Sequence, residues 1–254
     1  MKNSFKPFAI LVFLLYFIIS SCSFSGQGKD ETAAAKEDFT DLFDGKTLNG
    51  WEGDTTYWRI EDGIVIGETT PSTPELKNNT FLIWKGGELG DFELITEYRI
   101  TEQGNSGINY RSEAVADVPF ALKGYQADID GKNNYTGQNY EERKRTTLAY
   151  RGEKVTIPAS GQGKVENNAW SSRTIEGSLG NLDSLKTKIK AGDWNECHLI
   201  VKGNRLQHYI NGVLMADVMD NDSVNVKLSG MLGMQIHLGP PMKVEYRNFR
   251  IKRI

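Results

Sequence analysis

Cysteine is almost missing from this chain: 254 residues contain two, Cys22 and Cys197. With Cys22 inside an N-terminal export segment, Cys197 is the one thiol left to the folded part. That excludes an internal disulfide and any cysteine-cluster metal site. Cys197 itself sits in an alternating apolar stretch and reads as a small core residue, not a nucleophile. An excess of either charge is missing too. The formal net charge is −3, so nothing electrostatic argues for nucleic acid, whose binders carry a basic face. From residue 38 onward there is no long helical period with caps, no internal repeat and no low-complexity tract.

What is present begins with an export signal. Lys2 and Lys6 precede an apolar run over residues 8–19 broken only by Tyr16. The run is shorter than the roughly 20 residues a membrane span needs, and it suits a signal-peptide core. Ile19-Ser-Ser-Cys22 then resembles a lipobox, in which the cysteine is diacylated and becomes the new N-terminus. Two acyl chains hold a protein on a membrane without a spanning helix. Residues 22–37, rich in Ser, Gly, Lys, Asp and Ala, read as a flexible tether. The expected organisation is a signal peptide over 1–21, a tether over 22–37 after lipidated Cys22, and one domain over 38–254. Its expected place is the periplasm or outer membrane of a Gram-negative bacterium, lipid-anchored, with no other membrane contact. Ser23 is not an inner-membrane retention aspartate, which favours the outer membrane.

Several stretches of the domain alternate with period 2. In 92–100, Phe92, Leu94, Thr96, Tyr98 and Ile100 share a face; in 194–201, Asn195, Cys197, Leu199 and Val201 do. Asn211-Gly212 separates two apolar runs, the strongest short hairpin signal, because a type I′ turn needs positive φ at both central positions. Residues 231–238 and 244–251 are strand-like again. Many strands, frequent glycine-marked turns and no helix favour an all-β sandwich. Residues 112–123 and the long 152–190 stretch lack periodicity, and we expect them to be loops walling a pocket.

Four places hold side chains suited to chemistry. Of the three histidines, His198 and His208 read as surface or edge residues. His237 stands where a strand meets a rigid Gly239-Pro-Pro turn, with Gln235 on the same face. An imidazole so placed can project into a pocket and transfer protons near neutral pH. In Gly124-Tyr-Gln-Ala-Asp-Ile-Asp130, one face collects Gln126, Asp128 and Asp130. That face is either solvated or a polar site; Asp130, next to Gly131, also suits a turn, which makes Asp128 the better candidate. In Asn105-Ser-Gly-Ile-Asn-Tyr-Arg111, Asn109 and Arg111 alternate with Ile108 and Tyr110, and the guanidinium can polarise an oxyanion. Tyr135-Thr-Gly-Gln-Asn-Tyr-Glu-Glu142 puts aromatics, including Tyr140, beside carboxylates such as Glu141, as sugar sites do. Solvated edges and polar turns account for the last two equally well.

Taken in order, Phe39-Thr-Asp-Leu-Phe-Asp-Gly-Lys-Thr-Leu-Asn-Gly-Trp51, the 105–111 and 124–130 runs, Trp194-Asn195 with the Asn211-Gly212 hairpin, Gln235-Ile-His237 and Arg247-Asn-Phe-Arg-Ile251 resemble the 3-keto-disaccharide hydrolase domain family. The resemblance runs from about Phe39 to Ile254. It implies a concanavalin-like jelly-roll β-sandwich of two packed antiparallel sheets. It also implies a glycoside substrate whose glucosyl unit is already a ketone at carbon 3; no cofactor is expected. The ketone acidifies the hydrogen on carbon 2, so a base can generate an enolate that expels the carbon 1 substituent before water adds. The roles expected on that chemistry are His237 as base or acid, Asp128 as its partner, and Arg111 or Gln126 on the carbonyl oxygen. Gln235, Asn109, Tyr110, Asp130, Tyr140 and Glu141 are expected to contact the sugar. A divalent cation in place of Arg111 is the alternative electrophile, though no cluster of ligands stands out.

Three other readings compete, one of them an accessory lipoprotein of a surface complex, which would show an exposed apolar patch instead of a pocket. A direct jelly-roll glucanase carries Glu-x-Asp-x-x-Glu; the nearest spacing, Glu52-Gly-Asp54, has Tyr57 at the last position. A glycan-binding module on the same fold needs stacking and hydrogen bonds but no proton-transfer group, so the direction His237 faces separates it from an enzyme.

Overall fold

Alternating burial is what converts these strands into two layers. In the strand Phe92–Ile100 every second residue is buried, and Asn195–Lys202 repeats the pattern until its last residue. A period of 2 puts those side chains on one face of a pleat, and two such faces close on each other. The computed structural model describes Met1 and residues 39–254. The export segment, Cys22 and the tether lie outside the described residues.

One sheet runs Thr174–Ser178, Glu153–Ile157, Val213–Asp220, Arg205–Ile210, Asn195–Lys202, Phe92–Ile100, Met242–Arg253, Ile64–Thr69, Trp58–Glu61, with Thr40–Asp41 added beside Met242–Arg253. The other runs Val165–Glu166, Ala169–Trp170, Thr146–Ala149, Asn139–Glu142, Leu122–Asp130, Asn105–Ala114, Met231–Ile236, Thr80–Trp84, Trp51–Glu52. Between them lies one core, in which Leu94, Tyr98, Leu199 and Val201 of the first sheet join Ile108, Tyr110, Tyr125 and Ile129 of the second. Each fully buried side chain of this size contributes about 1.5–3 kcal/mol. The fold is the expected concanavalin-like jelly-roll sandwich. Its pairing is antiparallel with two exceptions: Glu153–Ile157 joins Val213–Asp220 in parallel, and Thr146–Ala149 meets Ala169–Trp170 in parallel.

The Asn211-Gly212 turn has φ of 50° and 75°, as type I′ requires. Two expectations change. The 152–190 stretch is not one loop: it supplies Glu153–Ile157, two two-residue strands, Thr174–Ser178 and the short helix Leu182–Lys186. These pieces are too short to show a period. His208 is not at a surface or edge but fully buried. Leu206, His208 and Ile210 face the core together, and the imidazole sits between Tyr110 Oη, 2.8 Å from Nε2, and the Gln138 carbonyl, 3.1 Å from Nδ1. Burial pulls its pKa down to about 4.

Candidate functional site

The outer face of the second sheet carries the polar groups, and strand register explains which ones meet. Antiparallel pairing sets Gln126 opposite both Asn109 and Tyr140, Asp128 opposite Gly107, and Gly124 opposite Glu142. Residues directly opposite share a face. Gln126 and Asp128 therefore emerge beside Tyr140 and Glu142 on one flank. Across Asn105–Ala114 lies Met231–Ile236, carrying Gln235, with His237 following its end. A cavity of about 220 Å³ opens there, lined by Asn105, Gln126, Asp128, Tyr135, Gln138, Tyr140, Glu142, Asn168 and His237.

Asp128 is buried at the centre, and among the described residues no cation pairs with it. Gln126 Nε2 donates to its Oδ1 at 2.6 Å, and Gln138 Nε2 donates to Oδ2. Two amide donors favour the carboxylate, but burial outweighs them, and the charges of Glu142 and Asp130 push the same way. The pKa of Asp128 is raised to about 7. Gln126 is itself fixed, because its Oε1 accepts from Gln235 Nε2 at 3.1 Å. It also lies over Gly107, where a Cβ would stand 2.6 Å from its Cγ, Cδ and Nε2. A side chain at 107 would displace the amide that holds Asp128.

Glu142 is the second carboxylate. Asn79 Nδ2 donates to its Oε1 at 3.0 Å, and Arg143 Nε lies 3.8 Å away. Burial raises its pKa, opposed by Asn79, the nearby His237, Arg143 and Gln235. Asn79 also pins the turn after His237, because its Oδ1 accepts the Leu238 backbone N–H at 2.9 Å. His237 is half-buried on the cavity wall. Its Nδ1 lies 2.5 Å from the Leu238 carbonyl. A carbonyl only accepts, so Nδ1 is the donor, and in the neutral ring the lone pair is on Nε2. The Tyr140 phenol, beside Glu142 and Asp128, is pushed up to about 12, by burial first and then by those two charges. It stays protonated and able to donate.

The structure thus brings together Asp128, Gln126, Tyr140 and His237 of the expected residues, with Gln235 directly behind Gln126. Others go elsewhere. Arg111 sits at the opposite end of its strand, at a bulge with φ of 44°. Its guanidinium is fully buried on the Gly90 carbonyl (2.9 Å), the Gly203 carbonyl (2.6 Å) and Asp91 Oδ1 (2.8 Å), which corrects its expected role at the substrate. Tyr110 faces the core, bound to His208 and Asn139. Asn109 is buried on the outer face, donating to Ser112 Oγ at 3.3 Å, and does not line the cavity. Asp130 turns its carboxylate into the following loop, where the backbone N–H groups of Asn134, Tyr135 and Thr136 donate to it at 3.0, 2.7 and 2.8 Å. Glu141 points into the core with Arg145, Asp220 and Asp222.

Glu142, Gln138, Tyr135, Asn105, Asn79 and Asn168 were missing from the expected set. Of two adjacent glutamates only one shares the face of Tyr140, and the pairing of Gly124 with Glu142 identifies it. Asn79 and Asn168 arrive from loops remote in sequence and carry no local signal. Among the described residues, no three of His, Cys, Asp and Glu converge as metal ligands, so the cation alternative lacks a ligand set there.

One family model matches residues 38–252, that of the 3-keto-alpha-glucoside-1,2-lyase-like domain. The chain belongs to this family. That places it among carbohydrate-active proteins. It is similar to a 3-keto-disaccharide hydrolase of Bacteroides thetaiotaomicron, 32% identical over 79 residues, or 29% of this chain and 27% of that protein. The match therefore spans little more than a quarter of the relative. In structure the family member resembles two proposed glycosyl hydrolases of Parabacteroides distasonis. One is 19% identical at a TM-score of 0.54, covering 88% of this chain and 97% of that one. The other is 15% identical at 0.53, covering 85% and 99%. At such identities the likeness is one of fold.

Proposed function

We propose that the protein cleaves glycosides whose glucosyl unit is already a ketone at carbon 3. The observation that carries this reading is Asp128, a buried carboxyl with no cation partner among the described residues and a pKa near neutrality, in one cavity with His237 and Glu142. A binding module gains nothing from such a group, because holding it ionised destabilises the fold. Proton transfer does gain, since a catalytic pKa near the working pH is the efficient one.

The Nε2 lone pair of His237 removes the carbon 2 proton. The C–H electron pair moves toward the ketone, and the enolate oxygen is held by the Tyr140 hydroxyl and the Asn105 amide, groups that take the place once expected of Arg111. The enolate then collapses: a carbon 1–carbon 2 double bond forms, the carbon 1–oxygen bond breaks, and Asp128 gives its proton to the departing oxygen. Water adds at carbon 1 and gives its spare proton to the Asp128 carboxylate, carbon 2 recovers a proton from His237, and 3-keto-glucose leaves. Glu142 and Asn79 fix the His237 turn and hold its charge as it forms. Lipidation at Cys22 and attachment to an outer-membrane or periplasmic surface complete the proposal, and a Cys22→Ala variant that still partitions with membranes would contradict that part.

The test is to incubate the domain with 3-keto-trehalose, a 3-keto-β-glucoside and the unoxidised sugars. Release of 3-keto-glucose from an oxidised substrate alone is expected. Binding of the plain glycan with cleavage of neither would favour the lectin.

A further inference from the structure

The cavity is small. At about 220 Å³ it lies below the ~300–1,000 Å³ usual for small-molecule sites. It takes one sugar ring and leaves the rest of a glycoside outside. What stands at its mouth is Tyr135, which lines the cavity and is 49% exposed. Among the described residues it is the one aromatic in the set of exposed large hydrophobic side chains. Single exposed apolar residues are common and mean little alone. Tyr135 differs in how its backbone is held.

The loop carrying it is built around the buried Asp130, whose carboxylate accepts the N–H groups of three successive residues, 134, 135 and 136. From the other side Arg151 Nη1 donates to the carbonyls of Asn133 at 3.1 Å and Thr136 at 2.9 Å. The Tyr135 carbonyl accepts from the Gln138 backbone at 3.0 Å, and Gln138 is the residue whose amide holds Asp128. An exposed ring on a pinned backbone loses little freedom when a ligand stacks on it. A phenol ring offers a flat apolar face to the apolar face of a second ring.

We infer that Tyr135 is a stacking platform for the leaving group, so that the protein takes glycosides with a cyclic aglycone, a second pyranose or an aromatic ring, over those with a short acyclic one. The inference rests on the proposed cleavage for its kinetic readout only. Asp130 is then a positioning residue for the platform, not a sugar ligand.

The experiment compares wild type, Tyr135→Phe and Tyr135→Ala on 3-keto-trehalose and on methyl 3-keto-α-glucoside. Tyr135→Ala is expected to lower kcat/KM for the disaccharide about tenfold and to change the methyl glycoside less than twofold; Tyr135→Phe keeps both. Equal loss on the two substrates, or no loss on either, overturns the platform. Saturation-transfer NMR with trehalose is run alongside. Saturation of the ring protons is expected with wild type and is expected to vanish in Tyr135→Ala; the same signal in both overturns the inference. If neither ketone is cleaved yet this contrast appears, the cleavage reading has failed and the platform stands.

Discussion

Removing the carboxylate at position 128 should make the protein more stable and inactive at once. A carboxyl raised from 3.8 to about 7 binds its proton more tightly in the folded state than in the unfolded one. Stability therefore falls as pH climbs between those values, and the loss is complete above pH 7. At 1.36 kcal/mol per pH unit the penalty is about 4 kcal/mol. The amide introduced by Asp128→Asn would not ionise, but it offers one acceptor where the carboxylate offers two. Either Gln126 or Gln138 then loses its acceptor, at about 1 kcal/mol. The net expectation for Asp128→Asn is a gain of about 3 kcal/mol at pH 8 and a loss of about 1 kcal/mol near pH 4. In a domain of this size the gain raises Tm by about 6–12 °C. Calorimetric melts of both proteins from pH 4 to 8 read it directly. The difference in Tm should change sign across that range while cleavage is abolished throughout. A Tm difference independent of pH would show that Asp128 does not titrate where its burial puts it, and the proton-transfer argument would go with it.

Three further outcomes follow from the same geometry. His237→Gln should lower kcat by at least about 10²-fold with Tm within a few degrees of wild type, since the side chain is half-buried; steady-state kinetics beside a melt checks it. Gly107→Ala puts a methyl group into Gln126. Losing that donor disfavours the ionised form of Asp128, so the alkaline limb of the pH–rate profile, expected near pH 7, should move upward; an unmoved limb contradicts the role given to Gln126. Arg111→Met should be destabilising by about 3 kcal/mol or more, because carbonyls of Gly90 and Gly203 lose a charged donor. Its folded fraction should turn over normally, which an activity assay below its melting range would show.

How much of this was legible before the structure varied with the range of the cause. Alternation in 92–100 and 195–202 is local, and it led directly to the sandwich. So did Asn211-Gly212, whose turn chemistry lies in two residues. Asp128 over Asp130 was also readable, because Asp130 precedes a glycine and suits a turn, which is where its hydrogen bonds go. The choice between Glu141 and Glu142 was half legible: alternation puts Glu142 on the face of Tyr140, but that this face turns to the cavity depends on which strand pairs with 122–130 and in what register. Arg111 misled for a comparable reason. Alternation places it on the face of Asn109, but a bulge breaks the period there and sends it to three backbone carbonyls. His208 was misplaced because a lone polar residue gives no hint that Tyr110, 98 residues away, provides its partner.

In the proposed reaction the bond at carbon 1 breaks after the proton at carbon 2 leaves. The most direct measurement uses a 3-keto-glucoside deuterated at carbon 2, turned over in ordinary water and sampled at low conversion by NMR. Released 3-keto-glucose is expected to carry protium at carbon 2, with no such exchange in His237→Gln. Release with the deuterium fully retained, at the same rate as from the protiated substrate, would mean direct cleavage at carbon 1 and would contradict the proposed reaction.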